Sequence, residues 1–190
     1  MKKKKTNNGK FILDTSIILQ KAYILLCIFF ANKEIARSSN PDDENDPLSL
    51  LESRFFESEV SRLLLELAIA IRVIDDQVKK LPVKNKSRIE YYALKEEVDK
   101  YEYGLFDNIN LDLRKTCNKI IHSEVLEPHT SEGSEAHKLD LAASYGGYPR
   151  EINWEHYNGY VRLAGIEKDT EWFVLLDIEV FVRAIVVLFK

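Results

Sequence analysis

The sequence predicts an all-α domain, a helical bundle with one small β-hairpin just before the last helix. Three observations predict it. Long apolar stretches with helical spacing fill the first half of the chain. Prolines and capping residues cut those stretches at defined points. Only two short runs near the C-terminus turn strand-like, and a lone hairpin needs helices to pack on.

The chain has 190 residues, 45% of them hydrophobic, which suits one domain with a real core. No internal repeat or domain boundary is visible. Four lysines at positions 2–5 precede Thr6-Asn7-Asn8-Gly9. Residues 1–10 therefore read as a disordered basic tail, and residues 11–190 as a single helical domain. The first helix starts after Asp14, with Asp14 or Thr15 as N-cap, and runs to about Arg37. Its stretch 17–31 is very apolar, but Gln20 and Lys21 interrupt it and no small-residue cleavage site follows Phe30. It is also shorter than the roughly 20 residues a bilayer requires, so it reads as a core helix with no membrane role.

Residues 38–47 form an acidic loop with Pro41 and Pro47. A long helix follows over 48–80 and stops before Pro82. Its centre, 63–71, is apolar almost all round, the pattern of a helix enclosed by neighbours or lying at a subunit interface. Residues 87–101 suggest a third, more charged helix. A turn over 104–110, with Asn110 as N-cap, leads into a fourth helix that runs to Val125 or Leu126 and ends before Pro128. Residues 127–159, rich in Gly, Ser and His and holding Tyr145-Gly146-Gly147-Tyr148-Pro149, read as a long loop of the kind that is often functional. Residues 160–164 and 172–176 read as two strands joined by a loose turn. Asp177 then caps a last helix over 178–189.

Charge and motifs narrow the function classes. A net charge of -4 argues against binding nucleic acid through a broad basic field. Cys27 and Cys117 both sit in apolar surroundings, which fits reduced thiols in a cytoplasmic protein. The chain lacks a P-loop, a dinucleotide fingerprint, a His-Glu-x-x-His and a Gly-x-Ser-x-Gly. No metal site is expected: Cys117 and His122 point to opposite sides of a helix, and His129 and His137 share a loop with Glu132 and Glu135 without ligand spacing. Asp75 and Asp76, adjacent on a helix, point about 100° apart and read as a solvated helix end near Arg72, although Asp75 or Glu66 could partner a motif residue across packed helices.

The fourth helix carries the chemistry. In Leu113-Arg114-Lys115-Thr116-Cys117-Asn118-Lys119-Ile120-Ile121-His122, the residues Leu113, Cys117, Ile120 and Ile121 form an apolar stripe. Arg114, Asn118 and His122, each four apart, form a polar row. His122 lies about 155° from the middle of the stripe, facing away from the core. Metal-free RNA cleavage needs a proton carrier near neutral pH, a cation for the phosphate and a group that holds both in register. The three residues supply one of each.

This segment resembles the signature of the HEPN superfamily, whose motif is an Arg, often followed by a polar residue, and then a His within four to six residues. Asn118 to His122 matches the polar-to-His half, whereas Cys117 stands where the Arg is expected and Arg114 lies about 12 Å of helix from His122. The resemblance implies a helical, commonly homodimeric fold and, in many members, RNase activity in toxin–antitoxin or phage-defence systems. It thus implies a metal-independent endoribonuclease with catalytic His122, Arg114 and Asn118. An antitoxin protein would be a partner, no cofactor would be needed, and a dimer would bring two copies of the row together around a cleft. The alternative is a HEPN-like module that binds a partner, nucleotide or RNA without cutting.

Overall fold

Asp14 starts the first long helix by accepting the Ser16 backbone N–H at 3.1 Å. That helix is α1 (Thr15–Ala36), and the computed structural model to which it belongs describes residues 3–5, 11–40, 42–105, 111–139 and 152–190. Two short strands precede it. β1 (Lys3–Lys5), inside the expected tail, pairs antiparallel with β2 (Phe11–Leu13). Asp46 caps α2 (Pro47–Lys79), which has Pro in its first turn, where the missing N–H costs nothing. Asn85 caps α3 (Lys86–Val98). β3 (Gly104–Leu105) is followed by α4 (Leu113–Ile121), then β4 (Val125–Glu132), β5 (Glu155–Glu167), β6 (Thr170–Asp177) and α5 (Ile178–Phe189), capped by Asp177.

The all-α expectation fails. Four strands form one antiparallel sheet in the order β3-β6-β5-β4, so the fold is mixed, with helices layered on one face of a sheet. The expected hairpin is its centre, but each strand is longer than the apolar core that announced it. Its turn is tight: Glu167 pairs with Thr170 across Lys168 and Asp169, at φ of 51° and 63°. That is a two-residue turn of the kind that matches strand twist. The segment 127–159, expected as loop, contributes most of β4 and the start of β5, which pair from Val125↔Ala164 to Glu132↔Glu155. β4 is an edge strand, which is where Pro128 and the register shift beside it are tolerated. The Tyr145–Pro149 turn lies outside the described residues.

One sheet face is buried. Val161, Leu163, Trp172, Val174 and Leu176 point inward, while Tyr160, Arg162, Ile166 and Phe173 point outward. The inward residues meet Leu25 and Phe29 of α1, Leu63, Leu64 and Leu67 of α2, and Phe181 and Ile185 of α5 in one core. A buried amide ties three elements together. Asn32 of α1 donates to Glu52 of α2 and accepts the Tyr157 N–H of β5 at 2.7 Å. α1 is the one described helix long and apolar enough to cross a membrane, and it also holds Glu66 of α2 through Lys21. Leu67 is fully buried, so Leu67→Ala is expected to cost roughly 2–5 kcal/mol in denaturant unfolding; a loss within experimental error would move the centre of the core elsewhere.

Candidate functional site

α4 is short because both of its ends are fixed. Its N-cap is Asp112, whose carboxylate accepts the Lys115 N–H at 2.7 Å. The expected cap Asn110 lies outside the described residues. The C-terminus comes four or five residues earlier than expected, at Ile121. His122 leaves the helical region at φ −105° and ψ 10°, and its N–H donates to the Asn118 carbonyl at 3.0 Å. Two residues on, the Glu124 N–H donates to the Ala164 carbonyl at 2.8 Å, so the chain passes directly into the sheet. β5 approaches this corner closely. A Cβ on Gly165 would lie 2.8 Å from the Trp172 ring and 3.0 Å from the His122 carbonyl, so only glycine fits.

The structure divides the polar row. Arg114 forks onto the end of α2, with one Nη on Asp75 and the other on Asp76 at 2.9 Å. Asp75 is buried and also accepts the Tyr91 hydroxyl at 3.4 Å. Asn118 accepts through Oδ1 from Arg72, again on α2. An arginine can only donate, so this bond leaves both N–H groups of the Asn118 amide for another acceptor. Arg72 also keeps a buried Nε that has no hydrogen-bond partner among the described residues. Two of the three row residues therefore seal a seam between α2 and α4. The crevice lined by Arg72, Asp75, Tyr91, Lys95 and Arg114 has no room for a water molecule.

His122 is different. Its side chain is exposed at the C-cap and its ring makes no hydrogen bond among the described residues. The row's faces thus split into an anchored part and a presented part, with Asn118 belonging to both. Beside it, Lys119 lies 4.1 Å from the Trp172 ring centroid and bonds Glu167 at 2.9 Å. That bond, together with the Lys119 charge, holds the Glu167 carboxyl below its ordinary range. On the opposite side of α4, burial pushes the Cys117 thiol up, so it stays protonated and inert.

Arg72 is the residue that sequence reading missed. It reads as a cation serving a nearby acid, whereas its partner is an amide 46 positions away. The expectation that Asp75 could partner a motif residue matches its contact with Arg114; Glu66 instead binds Lys21 and Arg62. Among the described residues no group of three or more His, Cys, Asp or Glu could hold a metal ion. His137 is fully buried and meets the Ala36 carbonyl at 3.3 Å, while His129 meets Asn158 at 2.9 Å. Comparison with protein-family models, curated proteins and solved structures finds no match to this chain.

The seam predicts unequal effects on stability. Arg114→Ala strands the buried Asp75 carboxylate and is expected to cost roughly 1–3 kcal/mol, whereas the exposed His122→Ala is expected to stay within about 0.5 kcal/mol. Arg114 holds the Asp76 carboxyl below its ordinary value, so this stabilisation is complete above the ordinary carboxylate range and is lost as pH falls through the lowered value. Denaturant midpoints from neutral pH downward should therefore fall less steeply in Arg114→Ala than in the unaltered protein. Parallel curves would show that the clamp does not supply this pH dependence.

Proposed function

We propose that this chain is a HEPN-like domain whose motif helix acts on single-stranded RNA at an exposed His122, without a metal. The observation that carries this reading is the contrast along one short helix. His122 is exposed and its ring has no hydrogen bond among the described residues, and one turn away Asn118 is held through its oxygen, which leaves its N–H donors for another acceptor. A general acid–base group and a fixed donor one turn apart suit a phosphodiester. Single-stranded RNA is favoured because its 2′-hydroxyl can reach the in-line position.

The contacts support the following roles. Neutral His122 takes the 2′-hydroxyl proton as that oxygen attacks phosphorus. The bond from phosphorus to the 5′-oxygen breaks, leaving a 2′,3′-cyclic phosphate, and the 5′-oxygen takes a proton from water. Asn118 donates to a phosphate oxygen. Arg114, with both ends of its fork on carboxylates, is a positioning residue that fixes α4, and Arg72 supplies the nearest cation to Asn118. A homodimer in the cytoplasm, silenced by an antitoxin that covers the His122 corner, completes the reading.

One observation favours a second reading. Arg114 is fully committed to Asp75 and Asp76, as expected of a module that binds RNA or a protein on this face without cutting. Incubating a mixed RNA pool with the purified protein in EDTA, beside His122→Ala, separates the two. The catalytic reading expects fragments ending in 2′,3′-cyclic phosphate that fall by at least about 100-fold in the variant. Equal cleavage by both proteins, or none, would leave the binding module.

A further inference from the structure

α2 carries a second pattern, on the face turned away from the core. Leu51, Phe55, Ser58, Arg62, Leu65 and Ile69 follow one another at alternating intervals of four and three, the spacing of a coiled-coil seam. All six are exposed, and the four apolar ones keep between 41% and 54% of their surface in solvent. The stripe is also symmetric: Leu51 and Ile69, Phe55 and Leu65, and Ser58 and Arg62 are each equidistant from position 60. A twofold interface requires a patch complementary to itself. When two such helices cross antiparallel at position 60, each apolar residue meets an apolar one and Arg62 meets Ser58 of the other copy.

Charge selects the same arrangement. Asp42, Asp43, Glu44 and Asp46 lie at the N-terminal end of α2, and exposed Lys79 and Lys80 end it. Antiparallel packing sets each acidic end against the other copy's basic end. Parallel packing would set acidic end against acidic end and basic end against basic end, which disfavours that geometry.

We infer that the outward face of α2 is the interface of an antiparallel homodimer of this chain, with its twofold axis at the level of position 60. The contacts of Arg114 with Asp75 and of Asn118 with Arg72 place each α4 on the C-terminal half of its own α2, so the two His122 corners lie on opposite sides of the twofold axis. The inference is independent of whether either corner cuts RNA.

Sedimentation equilibrium of the full chain is expected to give a species of twice the 22.1 kDa chain mass. Ile69→Asp, on an exposed position counted twice in a symmetric interface, should raise the dimer dissociation constant by at least about 100-fold with an unchanged circular dichroism spectrum. A monomeric wild-type chain, or a dimer indifferent to Ile69→Asp, would overturn the inference. Oxidative cross-linking fixes direction without relying on a disruptive variant. L51C mixed with I69C should cross-link, and either alone should not, since the two positions are about 27 Å apart on one helix. Cross-linking of L51C with itself would contradict the antiparallel arrangement.

Discussion

The bond on which the candidate site depends is the fork of Arg114 onto Asp75 and Asp76. It joins the C-terminal end of the 33-residue α2 to the nine-residue α4. Asp75 is buried, and a buried carboxylate without a cation is costly. Its presence therefore obliges α4 to lie where Arg114 can reach. Once α4 is placed, Arg72 meets Asn118, Cys117 and Ile120 enter the core, and the helix C-terminus reaches the sheet at Gly165. His122 is exposed as a consequence of this docking, since the other faces of α4 are taken by α2 and by β5.

Much of the helical half was legible in the sequence. Asp14, Asp177 and Pro47 mark helix starts within a residue of where they stand, because capping is local chemistry that a short window carries. Strand content was underestimated. Val125–Glu132 alternates outward Val125 and Glu127 with inward Leu126 and Pro128, a period of two that the proline obscured. Its pairing partner begins 30 residues later, and no local window holds that contact. Lys168-Asp169 adopts positive φ without glycine, so the tight turn lacked its usual signature.

The polar row was legible as a row but not as a division of labour. Helical periodicity shows that Arg114, Asn118 and His122 share a side; it does not show that α2 covers two of them. That depends on Arg72 and Asp75, which lie about 40 positions earlier and read as an ordinary helix end. The displaced arginine of the HEPN-like motif acquires a physical meaning from this. At position 114 its reach is toward α2 and its fork matches two carboxylates, a geometry that lysine could not reproduce. Asn118 then links an anchored seam to a presented histidine.

The measurement that tests this account most directly is an NMR titration of the protein with a short single-stranded RNA made uncleavable by 2′-O-methylation. The account predicts that the His122 ring and the Asn118 side-chain amide shift together at the same RNA concentration, while the Cys117 and Ile120 signals behind them stay in place. Binding that shifts other surfaces and leaves His122 and Asn118 unmoved, or no binding at all, would contradict it.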